Sequence, residues 1–316
     1  MNIVFFLTQQ MMYFIIPLVV VALAGMFSER SGIINIALDG TMIIGAFASI
    51  VFINLTQDYI SGQGQLLIAL VVAGIAGTVF MLFHAFACVN LNASQIISGV
   101  ALNLVAPAIT IFFARVFFGS QRIPFNNTFM INRVPLLGDI PVIGRMFFQN
   151  TYITTFFGIG LIFISSIVVF RTRFGLRLRS SGEYPQAAES VGINVHLMRY
   201  SGVLISGFLA GMGGLIFVIP TSNVFAGTVS GYGFLALAVL VFGKWKPYRI
   251  LMAAVLFGLA KTISSAYTAI PWLDSLGLSV YVYRMLPYVF TIIMLIITSR
   301  NPQAPKAAGK PYVSSV

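Results

Sequence analysis

The chain has 316 residues, of which 59% are hydrophobic and only 8% are Asp, Glu, Lys or Arg. A water-soluble enzyme of this length needs far more charge to cover its surface, so the composition excludes an ordinary soluble fold and points to lipid as the solvent. Lys and Arg outnumber Asp and Glu by 18 to 7, but they sit at the ends of apolar runs and in loops, which argues against nucleic acid as a partner.

Runs of about 17 to 25 apolar residues are long enough to cross roughly 30 Å of hydrocarbon. They are predicted at 11–27, 33–55, 66–91, 96–118, 152–170, 200–220, 224–243, 250–270 and 285–299. The expected fold is an all-α polytopic bundle of about eight to ten spans, the lower and upper counts applying if 33–55 is re-entrant or residues 1–10 open a further helix. One membrane domain covers 1–300, and a short basic tail covers 301–316. The opening MNIVFFLTQQMMYF lacks a basic region and a small-residue cleavage site, so the first helix is expected to be retained.

Polar side chains inside these runs are costly unless they face protein, water or solute. Asn35 and Asp39 are predicted at the loop-side start of the second run, on one face if it is helical; they suit ribose hydroxyls or a base, or equally interfacial capping and packing. Cys88 stands alone and reads as a small buried hydrophobe. His84 reads as an interfacial side chain, and with His196 the only other histidine, no metal site or proton relay is expected. Ser98 and Asn103 lie deeper; an Asn amide offers two donors and an acceptor to a nucleobase edge, a sugar or a neighbouring helix. Pro107 frees backbone groups near Asn103. Lys261, mid-run, needs neutralisation by Asp39, by another acid or by snorkelling.

Charge concentrates in RTRFGLRLRSSGEYPQAAESVGINV, residues 171–195. Counting Lys and Arg puts the loop 171–199 (Arg171, Arg173, Arg177, Arg179, Arg199), the turn with Lys244, Lys246 and Arg249, and the tail with Arg300, Lys306 and Lys310 on the cytoplasmic side; Arg122, Arg133 and Arg145 in 119–151 then lie outside. The arginines can anchor a helix end to lipid phosphates. GEYPQAAESVGINV needs another explanation. Pro185 can start a helix, Ala187 and Ala188 favour one, and Gly192 can end it. So short a helix persists only when docked, and its small residues would let another protein approach closely. Beyond it, SGFLAGMGG sets Gly207, Gly211 and Gly214 in a stripe along which helices can pack closely and slide.

Residues 171–214 resemble the main cytoplasmic loop and following helix of permease subunits of ABC importers, of the branch for simple sugars, nucleosides and branched-chain amino acids. Gln186-Ala187-Ala188 followed by Gly192 matches the Glu-Ala-Ala, three residues, Gly spacing of the importer coupling motif, with Gln186 in place of Glu and without recognisable distal Ile and Pro. SERSGIINIALDGTMIIGAFAS (28–49), with Asp39 where Glu is usual, LNASQIISGVALNLVA (91–106) and GYGFLALAVLVFGKWKP (231–247) are similar to stretches of bacterial nucleoside permeases. The resemblance implies a coupling helix at about 185–192, seated in an ATPase subunit and framed by Phe174, Gly175, Arg177 and Gly182. It also implies a second permease chain, homologous or identical, an extracytoplasmic solute-binding lipoprotein and a bacterial plasma membrane location. No G-x-x-x-x-G-K-[ST] phosphate loop occurs, so the chain is expected to be no enzyme and to hold no cofactor; Mg-ATP would belong to the partner. Nucleosides are the favoured solutes, with simple sugars or branched-chain amino acids as the alternative. An ion-coupled transporter would need deep carboxylates, and an intramembrane enzyme a nucleophile and base.

Overall fold

The computed structural model describes residues 2–270, 273, 275–298 and 303–312. An apolar helix falls in each predicted run: α1 (Asn2–Arg30), α2 (Leu38–Thr56), α3 (Gln63–Val89), α4 (Gln95–Phe118), α6 (Ile153–Arg171), α9 (Val195–Thr221), α10 (Tyr232–Phe242), α11 (Pro247–Ala266) and α12 (Val280–Thr298). Between them lie the short α5 (Ile143–Phe147), α7 (Arg173–Glu183) and α8 (Pro185–Ser190). Seven of the helices are long and apolar enough to cross a membrane.

α10 corrects the expected run at 224–243. Its 11 residues reach only about 16 Å, half the hydrocarbon thickness. The rest of the run is not helical: it begins with β4 (Val224–Phe225), which pairs antiparallel with β1 (Ile123–Pro124), and continues as irregular chain to Gly231. Residues 2–30 form one unbroken helix. The second run is neither re-entrant nor helical throughout: 31–37 are irregular and α2 starts only at Leu38.

α1 and α9 occupy the centre. From Leu18 to Ala24, α1 is fully buried on every face, and a helix enclosed by others has no polar face to keep. α9 runs antiparallel to it, against α2 and α3. α4 lies outside, exposing Ile97, Leu104, Phe112 and Phe117.

Contacts assign the ends of the bundle. Glu29, Arg30, Glu183, Trp245 and the start of α9 lie together at one end, the loop end. At the far end, Gln9 and Tyr13 of α1 donate to the backbone of Arg145 and Asn150, and Asn127 donates to Ile219 O. The far-end segment holds a second small ladder, β2 (Ile131–Arg133) with β3 (Gln149–Thr151), and an unanticipated tandem turn. In VPLLGD and IPVIGR, Leu137 N donates to Pro135 O and Ile143 N to Pro141 O. Leu136 and Val142 are thereby held at φ +66° and +68°, a costly conformation for bulky side chains. Gly144 packs directly on Gly138.

Candidate functional site

A chain that leaves helical geometry inside lipid must pair its backbone with something else. Residues 31–37 leave α1 and turn back into the bundle, where four polar side chains meet them. Ser28 Oγ donates to Ile33 O (2.8 Å), Ile34 N donates to Gln95 Oε1 (2.7 Å) and Asn103 Nδ2 donates to Ile36 O (2.8 Å). His84 Nε2 lies 3.1 Å from Ile34 O, while its Nδ1 lies 3.0 Å from Ser98 Oγ. A carbonyl only accepts, so Nε2 carries the proton, and in the neutral ring Nδ1 accepts a hydrogen bond from the Ser98 hydroxyl. His84 is therefore a buried strut rather than the interfacial side chain expected. Gln95, like His84 as a strut, was missed by sequence reasoning; the signal was a polar group in an apolar run that had to find a partner.

The helices that start in the middle of the protein receive caps from other helices. Ala37, at the N-cap of α2, has no side-chain acceptor, and Asn103 Oδ1 supplies it by accepting from Gly40 N at 2.7 Å. Gly231 opens α10 with φ +72° and likewise no cap. There Asp39 Oδ1 accepts from Gly233 N at 2.8 Å, satisfying an orphan donor at the positive end of the helix. Because α10 runs from Gly233 to the loop end, Asp39 lies about 15 Å in from that end, near mid-depth. It is the second residue of α2, at the start of that span as expected, although the chain leading to it already lies inside the bundle. Asn35 is fully buried, donating to Ser206 Oγ of α9 at 2.8 Å, and its own Oδ1 has no partner. Asn35, Asp39, Ser98 and Asn103 thus converge on one polar knot, each tied to a different element. Lys261 lines a small pocket with Ser230, Gly231 and Pro287, and among the described residues the ion pairs seen are Arg30–Glu183 and Arg133–Asp139, not Lys261 with Asp39.

The glycine stripe lies one layer away. A Cβ on Gly207 would stand 2.7 Å from Gly77 O of α3, one on Gly211 would run into Ala73 O, and one on Gly214 into Met42 O of α2. Gly45 of α2 meets Gly211 from the opposite side. α2, α3 and α9 therefore cross backbone to backbone, which only Gly permits here.

At the loop end, Thr172 caps α7 by accepting from Gly175 N (3.1 Å). Phe174 packs on the core, Gly175 is pressed on the carbonyls of Val168 and Val169, and Gly182 on that of Arg30. Arg177 points to solvent. α8 falls where the short helix was predicted: Pro185 is its first residue, and Gly192 follows with φ +80°. The two alanines divide, Ala188 buried and Ala187 exposed beside Gln186, so one small residue, not two, faces outward. Arg199 is not a loop residue: it lies in α9, 1% exposed. Arg300 lies outside the described residues.

A bundle of apolar helices with two helix starts at mid-depth, interlocked by side chains and joined to a protruding loop, defines a polytopic membrane permease. The chain belongs to the family described as branched-chain amino acid transport system / permease component, whose model matches residues 7–298. It is 42% identical to the nucleoside ABC transporter permease protein NupC of Lactococcus lactis, over 98% of this chain and 97% of that one. It is 44% identical to the guanosine ABC transporter permease protein NupQ of Bacillus subtilis, over 94% and 93%. A putative glucose ABC transporter permease protein of Haloferax volcanii is 30% identical over 95% and 86%.

Proposed function

We propose that the chain is the membrane path of an ATP-driven nucleoside importer in a bacterial plasma membrane, working by alternating access. Its loop end is cytoplasmic. A separate ATPase binds Mg-ATP and grips α8, a solute-binding lipoprotein delivers solute at the far end, and a second permease chain completes the path. This chain catalyses no bond chemistry. The observation that carries the reading is mechanical: α9 begins five residues beyond α8 and is bonded through Ser206 to Asn35 of the knot. Displacement of α8 is therefore transmitted to mid-membrane.

Charge supports the orientation. Arg171, Arg173, Arg177, Lys244, Lys246 and Arg249 gather at the loop end, against Arg122, Arg133 and Arg145 at the other. Around α8, the exposed Gln186, Ala187, Val191 and Leu197 present a small, largely uncharged surface suited to a protein cleft. For the solute, the two relatives above 40% identity bear names for nucleosides or guanosine. The relative named for glucose keeps sugars as the second reading. Asp39 and Asn103 are the side chains proposed to meet the solute when the knot opens; Asn35 and Ser98 lie behind them. The Gly207, Gly211 and Gly214 stripe is the surface on which α9 shifts.

The test is uptake by membrane vesicles containing both permease chains, the ATPase and the binding protein. Accumulation of labelled guanosine, adenosine or uridine should require ATP inside the ATPase-bearing compartment and survive an ionophore. Collapse with the ionophore, or accumulation without the ATPase, would overturn it. Glucose uptake with nucleosides excluded would replace the solute and leave the mechanism.

A further inference from the structure

The tail is more than a basic extension. Residues 303–312 fold back across the loop end and touch α7, the chain before α8, α8, α9 and Ile34. Ala307 N donates to Gly182 O (2.9 Å) at the end of α7, and Lys306 Nζ donates to the Tyr184 hydroxyl (2.5 Å) just before α8. Tyr312, 3% exposed, closes a small apolar cluster with Ala188 of α8 and Val195 of α9. Its ring lies 5.3 Å from the Arg199 guanidinium and 5.6 Å from the His196 ring. Arg199 Nη1 donates to Lys310 O (3.4 Å). Gly309, at φ +81°, passes so close to Ile34 that a Cβ would stand 2.9 Å from its Cδ1.

Two physical facts give these contacts weight. α8 has six residues and cannot hold its shape alone; what secures it is the burial of Pro185 and Ala188, and Tyr312 supplies part of the cover over Ala188. Arg199 is buried with Nε and Nη2 unpaired, so its charge is compensated chiefly by an aromatic face and a carbonyl. Both belong to the tail.

We propose that residues 303–312 are a clasp that locks α8 onto α9 and the chain at Ile34, with Tyr312 as a positioning residue for coupling. The clasp makes α8, α9 and the entry to the knot move as one piece. Without it, α8 rocks independently of α9 when the ATPase closes. The inference rests on the proposed role of α8, and the experiment separates the two.

The complete transporter is reconstituted in proteoliposomes with tritiated guanosine, adenosine and uridine as probes. Tyr312→Ala should retain ATPase binding and ATP hydrolysis while solute accumulated per ATP falls about fivefold to tenfold. Tyr312→Phe, which keeps the ring, should restore the ratio. In the isolated permease, hydrogen exchange of the α8 amides should speed about tenfold in Tyr312→Ala. Lys306→Ala, an exposed change compatible with folding, should lower the ratio less and in the same direction. A wild-type ratio and wild-type exchange in Tyr312→Ala overturn the clasp. So does an unaltered ratio in Lys306→Ala if Tyr312→Ala cannot be recovered folded. Ala187→Arg is the separate arm: if it leaves ATPase capture intact, the role of α8 fails, whereas the exchange measurement still judges the clasp.

Discussion

The polar knot around residues 31–40 and the glycine crossing of α2, α3 and α9 meet the same demand by opposite means. In lipid, a backbone group is safe only if paired. At the crossing the helices stay intact, and side chains are removed so that backbones touch at Gly45, Gly77, Gly207 and Gly211. At the knot the helices are broken, and Gln95, His84, Asn103 and Asp39 are imported from elsewhere to complete them. The crossing depends on shape, so any added volume harms it. The knot depends on donors and acceptors, so a change of the same size that preserves hydrogen-bonding pattern should be tolerated. Mutations can break or sharpen that contrast.

The largest effect is expected at the crossing. Gly211→Leu forces a branched side chain into Ala73 O and Gly77, both backbone, which cannot yield as a side-chain tip can. Overpacking costs about 1–3 kcal/mol where neighbours adjust, and more where they do not. The variant should insert normally, since Leu favours the membrane interior, yet lose folded protein in size-exclusion profiles and essentially all uptake. Normal uptake would show that α3 and α9 separate freely.

Next comes Asn103→Ala, which strands Ile36 O and Gly40 N together. Each orphaned group costs about 1–3 kcal/mol, so thermal unfolding in detergent should register a loss of about 2–6 kcal/mol. Asp39 separates hydrogen bonding from charge. Asp39→Asn keeps an acceptor for Gly233 N and should retain stability, whereas Asp39→Ala should lose about 1 kcal/mol as a missing cap. If the carboxylate also meets solute, Asp39→Asn will lower uptake while melting like the parent.

Much of the crossing and little of the knot was legible in the sequence. Hydropathy located the passes because chain length and hydrocarbon thickness are linked by a fixed rise per residue: α4 spans Gln95–Phe118 where 96–118 was predicted, and α8 begins at Pro185 as expected. SGFLAGMGG announced close packing through its spacing. The knot hid because IINIA is as apolar as any helix, and hydropathy carries no information about backbone conformation. Its partners are also remote: His84 is 50 residues from Ile34, Asn103 is 67 from Ile36, and Gly233 is 194 from Asp39. The family-like stretches at 28–49, 91–106 and 231–247 interlock, with His84 and Ser206 joining them, and the resemblance did not indicate that they touch. The tail was opaque for a different reason: Tyr312 docks on a surface that exists only after α8 and α9 have formed.

The smallest expected effect is at Ser206, and it tests whether the link from α9 to the knot is structural or mechanical. Ser206→Ala removes the acceptor of Asn35 Nδ2, leaving an amide whose Oδ1 already lacks a partner. A single neutral hydrogen bond is worth about 1 kcal/mol, and membrane-interior pairs average rather less. The melting temperature should therefore move little. Replacing both partners by apolar groups of similar shape, Asn35→Leu with Ser206→Ala, should recover most of that stability because no polar group is stranded. Uptake should not recover with it, since the double variant restores packing but removes the connection through which α9 pulls on residues 31–37. Should uptake follow stability in both variants, the Asn35–Ser206 bond is only a satisfied pair, and force from α8 reaches the knot by another route, such as the packing of Gly202 and Val203 of α9 on Ser31, Ile33 and Ala37.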